Sequence, residues 1–281
     1  MKKITSLLAV AVVGFGIQSA SADLISLYEF NGSTADTYRG AGAAGTVYGN
    51  TIYETGVTGQ AFRFDGSTYL TAPLAGAGLG QGAISAWVKY NTQTQWASIL
   101  KNWGSTQTGA YHLGLSDNRL TISNELGTSN GSFWVESPTI SLNTWYHVVA
   151  TWGPTGTHKL YLDGALVDTS AYSGTLNSSF PIMSMGNKLN NSMTGIANAT
   201  SGELDGWLDD VGFLDEEISA AQVASIYSAG LSGIGVSASY GSAAVPEPGQ
   251  VAASLLLLAG LGGYVFLKRR KAAKTASLVA A

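Results

Sequence analysis

The chain has 281 residues, 36 of them glycine and none cysteine, and only 11% are charged. Without a thiol it can build no disulfide, no thiolate nucleophile and no Cys-ligated metal site. A formal charge of −4 conceals that positions 23–245 hold seven basic against 17 acidic residues, a field that repels nucleic acid and favours cations.

The first predicted element is an address. "MKKITSLLAVAVVGFGIQSASA" sets two lysines before an apolar run from Ile4 to Ile17 and closes on Ala20-Ser21-Ala22. This is the three-part layout of a secretory signal peptide, so residues 1–22 are expected to be removed by a cut after Ala22.

From Asp23 to Leu231 short stretches rich in Val, Ile, Tyr and Trp alternate with Gly, Asn, Ser and Thr. "LISLYEF" (24–30), "AISAWVKY" (83–90), "WYHVVATW" (145–152) and "HKLYLDGALVD" (158–168) read as strands, the last folded back at Asp163-Gly164. One helix is expected, with Ser219 capping "AAQVASIY" and a stop at Gly230. Many strands without a βαβ rhythm predict an all-β domain of two packed sheets or a barrel over 23–231. Residues 232–244 are small and uncharged, which predicts a linker.

Several side chains in this span carry chemistry. In "GELDGWLDDVGFLDEE" (202–217), Glu203, Asp205 and Asp209 fall on one face of a regular strand, where closely spaced carboxyls can cleave a glycosidic bond. Alternation would send Asp209 and Asp210 to opposite faces, so one carboxylate must point inward and find a partner or a metal. Trp87, Trp145, Trp152 and Trp207 sit in strand patterns and are expected in the core. Trp96, Trp103 and Trp134 lie nearer loops, where an exposed indole can stack on a sugar ring. His112, His147 and His158 show no zinc or Ser-His-Asp spacing and read as packing residues.

The order of "LYEFNGSTADTYRGAGAAGTVYG", "GQAFRFDGSTYLTAP", "AISAWVKY", "NTWYHVVATWGPTGTHKLYLDGALV" and "GWLDDVGFLDEEISAAQVASIY" resembles LamG-like domains of the concanavalin A-like lectin/glucanase superfamily. The resemblance implies a jelly-roll sandwich of two antiparallel sheets with one short C-terminal helix. It also implies a calcium ion (Ca2+) between Asp36 and Asp209 or Asp210. Laminarinase-type relatives carry Glu-x-Asp-x-x-Glu on a catalytic strand, whereas this chain has Leu208 where the last Glu would stand. The resulting expectation is a non-catalytic binding or adhesion module for carbohydrate or an extracellular polymer. A glycan hydrolase or lyase using 203–209, and a structural matrix protein without a specific ligand, are the alternatives.

The last element is a second address. After Val245-Pro246-Glu247-Pro248 the stretch 251–267 is uncharged and, as a helix of about 1.5 Å per residue, roughly 25 Å long. Lys268-Arg269-Arg270-Lys271 then predicts a cytoplasmic end, with 272–281 as a cytoplasmic tail. The segment 245–271 resembles a PEP-CTERM sorting signal. That implies an exosortase as partner, a membrane anchor before processing, and delivery to the cell surface or extracellular matrix.

Overall fold

Alternating apolar side chains need two surfaces to meet, and fifteen strands supply them. The computed structural model describes residues 22–75, 80–102, 111–125, 132–153, 157–171, 181–190 and 202–237. In chain order the strands are β1 (Leu24–Tyr28), β2 (Thr46–Tyr48), β3 (Tyr53–Thr55), β4 (Gln60–Asp65), β5 (Tyr69–Pro73), β6 (Gly82–Tyr90), β7 (Ser98–Lys101) and β8 (His112–Ser116). They continue with β9 (Arg119–Glu125), β10 (Ser132–Thr139), β11 (Trp145–Trp152), β12 (Thr157–Leu162), β13 (Ala165–Ala171), β14 (Ile182–Met185) and β15 (Asp205–Leu214), and helix α1 (Ala220–Leu231) follows.

The strands form an eight-stranded sheet, ordered β13-β12-β11-β6-β15-β4-β3 with β1 also on β15, and a seven-stranded sheet, ordered β10-β9-β8-β7-β14-β5-β2. Every pairing between them is antiparallel. Between the sheets lies one apolar core. Phe62, Phe64, Val88, Leu208, Val211 and Phe213 come from the first sheet and Leu113, Ile122, Val135 and Met183 from the second, with Tyr111 just before β8. The other face of the eight-stranded sheet is covered too: Leu24, Leu27, Val149, Tyr161 and Leu214 pack under Val223 and Ile226 of α1 and under Val236.

Local signals account for the turns. Asp163 and Gly164 both take positive φ (50° and 81°), the paired left-handed geometry of a tight hairpin between β12 and β13. Ser219 caps α1 in a full capping box with Gln222. The expected stop at Gly230 is displaced. Gly230 lies within the helix, at a point where a Cβ would run into the Trp87 indole, and the left-handed glycine that follows the helix is Gly233 (φ 73°).

β15 is the hub of its sheet. On one side it pairs with β6 throughout, while on the other Asp205–Leu208 pair with β4 and Val211–Leu214 pair with β1. The change of partner coincides with a β-bulge between Asp209 and Gly212, where Asp210 takes φ 47°.

Among the described residues no helix is long and apolar enough to cross a membrane. The expected signal peptide, the Pro-Glu-Pro motif and the stretch 251–267 lie outside the described residues. Leu208 is completely buried at the centre of the sandwich. Leu208→Ala is therefore expected to cost about 3 kcal/mol, read as a lower urea midpoint for unfolding of the domain.

Candidate functional site

The bulge in β15 brings two carboxylates into one buried layer. Asp209 lies opposite Trp87, whose ring stacks on Tyr227 of α1, so it faces the helix side of the sheet and away from the core. The extra residue turns Asp210 to the same side, where it meets Thr58 and Val236. Strict alternation, which would have put one of the pair into the core, therefore fails at this point. Leu208 and Val211 hold the inward positions on either side.

Both carboxylates act on neighbouring backbone. Asp209 Oδ2 accepts from the amides of Val57 (2.8 Å) and Thr58 (3.0 Å), in the turn between β3 and β4. Asp210 Oδ2 accepts from the Thr58 hydroxyl (2.7 Å) and from the amide of Val236 (3.2 Å), beyond α1. The second oxygen of each, Oδ1, is buried and has no hydrogen-bond partner. Burial, and then the neighbouring Asp210 charge, push Asp209 up to about 7 against the pull of the Thr58, Val57 and Asp210 amides. Burial also raises Asp210 to about 6, opposed by Thr58 and Val236 and reinforced by Glu29.

Asp36 stands elsewhere. Its carboxylate bonds the Ser26 hydroxyl (2.5 Å), the Arg39 Nε (2.6 Å) and the amides of Leu27, Tyr38 and Arg39. Burial disfavours its charge, but the Ser26 hydroxyl and the Arg39 contacts outweigh this and hold it below its usual range. None of these groups also bonds Asp209 or Asp210. Among the described residues no three side chains from His, Asp and Glu gather closely enough to hold a metal by themselves.

The carboxylates expected for hydrolysis do not assemble. Glu203 precedes β15, and Asp205 is tied to the Arg63 guanidinium and to Asn91 Nδ2 (2.8 Å). Asp205 and Asp209 are four strand residues apart, about 13 Å, against about 5–10 Å for a glycosidase pair. Ser85 Oγ does lie 2.9 Å from His147 Nε2, but both are fully buried and Asp163 bonds the His147 amide rather than its ring. Burial pushes His147 down to about 3.

The tryptophans divide differently from the expectation. Trp87 and Trp152 are buried, but Trp145 and Trp207 are half-exposed on the outward face of the eight-stranded sheet. There they alternate with cations across one row of strands: Lys89 Nζ lies 5.1 Å from the Trp145 ring and 4.0 Å from Trp207, and Arg63 lies 4.4 Å over Trp207 from the other side. Glu54 accepts the Trp207 indole N–H (2.9 Å). These rings are filled by their neighbours.

Trp96 and Trp134 meet on the outward face of the seven-stranded sheet. Their rings are perpendicular, 5.3 Å apart, with Trp134 39% exposed and Trp96 lying 6.0 Å from the His112 ring. Trp96 takes φ 66°, a backbone geometry that a bulky residue adopts only when its surroundings require it. His112 beneath is held well below its usual range by burial and then by Lys101, with a smaller contribution from Lys188. Trp103 lies outside the described residues. Thr58 and Glu29, now central to the acid pair, gave no signal in the sequence because they meet it only across about half the chain.

A family model described as the Concanavalin A-like lectin/glucanases superfamily (Laminin_G_3) matches residues 64–224. No curated protein sequence matches. Among solved structures, domain 4 of AbnA, a GH43 extracellular arabinanase from Geobacillus stearothermophilus, in complex with arabinotriose, superposes with TM-score 0.57 at 18% identity, covering 73% of this chain and 98% of that one. The binding domain of Paraclostridial Mosquitocidal Protein 1 gives 0.57 at 12% identity over 73% of this chain and 52% of that one. A botulinum neurotoxin type C structure, whose cell entry depends on two ganglioside molecules, gives 0.56 at 16% over 75% and 51%. The chain thus spans about half the length of the two toxin structures, and at these identities the likeness is one of fold. With the family model matched across more than half its length and a two-sheet sandwich beneath it, the chain belongs to the Laminin_G_3 family of the concanavalin A-like lectin/glucanase superfamily.

Proposed function

We propose that the chain is an exported, surface-sorted, non-catalytic module that binds polysaccharide through Trp96 and Trp134. The observation that carries this reading is the perpendicular indole pair, partly open to solvent and held by a strained backbone at Trp96. Support comes from a domain of similar fold solved with arabinotriose and from one whose host protein enters cells through gangliosides. A non-catalytic role accords with the separation of Asp205 from Asp209 and with Leu208 being committed to the core.

Calcium at the acid pair belongs to the same reading. Asp209 and Asp210 would hold the ion through their free Oδ1 atoms, and it would supply the positive charge that two adjacent buried carboxylates lack. For the chain ends, residues 1–22 are read as a signal peptide, 232–244 as a linker whose first residues pack onto the domain through Val236, and 245–271 as a PEP-CTERM segment. An exosortase would release the domain to the cell surface or matrix, the stretch 251–267 having held it in the membrane until then.

Native gels containing arabinan, xylan, galactan or β-glucan test binding. At least one polymer should retard the protein, and Trp134→Ala should weaken that by about two- to tenfold without lowering the melting temperature. Retardation by none, or release of reducing ends lost in Asp205→Asn, would overturn the reading.

The acid pair makes a prediction of fixed sign. Both folded values lie above the ordinary aspartate value of about 3.9, so the folded state favours the protonated forms. The pair's contribution is best below about pH 4 and is lost as pH rises towards about 7. In chelator at about pH 8, Asp209→Asn/Asp210→Asn should therefore melt above the natural chain, the gap closing near pH 4. Calcium should raise the melting temperature of the natural chain alone. Identical curves for the natural chain in chelator and calcium would remove the ion from the proposal.

For sorting, protein recovered from cells that carry an exosortase should have lost the mass of everything beyond the motif. Pro246→Ala/Pro248→Ala should retain it. Full-length natural chain at the surface would refute processing.

A further inference from the structure

The outward face of the seven-stranded sheet carries a second aromatic pair at its opposite edge. Leu70 and Ala72 of β5 point into the core, which turns Tyr69 and Thr71 outward, and Tyr48 and Thr46 of β2 face them in register. Tyr48 and Tyr69 stack nearly parallel, 4.6 Å between centroids and 5° between planes, with Tyr48 45% exposed. Beside them the paired threonines open into a cavity of about 280 Å³ lined by Gly42, Ala44, Thr46, Thr71, Pro73 and Ile182 among others. Small residues leave the room, the two hydroxyls offer hydrogen bonds, and no charged side chain lines it.

We propose that Tyr48, Tyr69 and this cavity form a second contact site for the polysaccharide whose other end rests on Trp96 and Trp134, so that the ligand is a linear chain lying across the strands. This rests on the reading of the indole pair given above. The strand order places β5 five steps and β2 six steps from β10, about 24–29 Å at the usual strand spacing. A trisaccharide is too short to reach both ends, but a polymer is not.

The register row between them runs through Ser123, His112, Lys101 and Ser184, all buried. The two ends are thus separate patches, each modest in area, and one ligand that engages both gains from their linkage rather than from either alone. An uncharged cavity of hydroxyls beside an exposed phenol ring suits the hydroxyls and flat C–H face of a neutral sugar better than it suits a peptide or an anion.

The test uses the full chain and calorimetric titration with linear arabinan, xylan, galactan and β-glucan, each against its own trisaccharide. A polymer that binds should do so at least about tenfold more tightly, per chain end, than its trisaccharide. Tyr48→Ala, and Thr46→Arg to fill the cavity, should erase that advantage while leaving the trisaccharide affinity and the melting temperature unchanged. Trp134→Ala should weaken both ligands. Equal affinity for polymer and trisaccharide, or a polymer advantage that survives both edge variants, overturns the second site while leaving the indole site standing. Failure of every ligand to bind the natural chain removes both.

Discussion

The structure depends on one strand keeping three partners. β15 must stay paired with β6 along its length while its other edge passes from β4 to β1, and a regular strand offers no slack for that exchange. The bulge at Asp209–Asp210 supplies one extra residue at the junction, and the two carboxylates collect the backbone groups that the junction would leave unsatisfied. The turn before β4 and the segment after α1 are bound to the same two side chains. A break in the ladder has become the point where three distant parts of the chain are fastened. The cost is a pair of adjacent buried carboxylates with an unbonded oxygen each.

Much of this architecture is legible in the sequence, and the failures have a common cause. The hairpin at Asp163-Gly164 and the cap at Ser219 follow from local chemistry, and the strands at 83–90 and 145–152 follow from alternation. What could not be read is contact across the fold. Nothing near Trp145 or Trp207 says that Lys89 and Arg63 will lie against their rings, so both looked like core residues. Asp36 is bound by Arg39, three residues on, but also by Ser26 and Leu27 of β1, contacts that the local sequence does not announce. The bulge also breaks the period of two at Asp209 and Asp210, and no local residue type announces it.

The aromatic residues of the two outward faces illustrate how the same residue types serve different ends. On the eight-stranded sheet, Trp207 has Lys89 and Arg63 over its ring and its N–H committed to Glu54. On the seven-stranded sheet, Trp134 touches Trp96 edge to face and Tyr48 touches Tyr69 on one side, so each retains open ring surface. Exposure by itself would not have separated these cases. The separation comes from what occupies the faces of each ring.

The small second core beneath α1 sets the direction in which the domain looks. Ala22 and Leu24 at one end of the described chain and Val236 at the other pack into the same apolar cluster, on the helix side of the eight-stranded sheet. Whatever precedes residue 22 and follows residue 237 therefore departs from one side of the sandwich. Both aromatic patches lie on the other. A domain tethered through either end would turn its back to the tether and hold both aromatic patches outward, with no hinge needed to aim it.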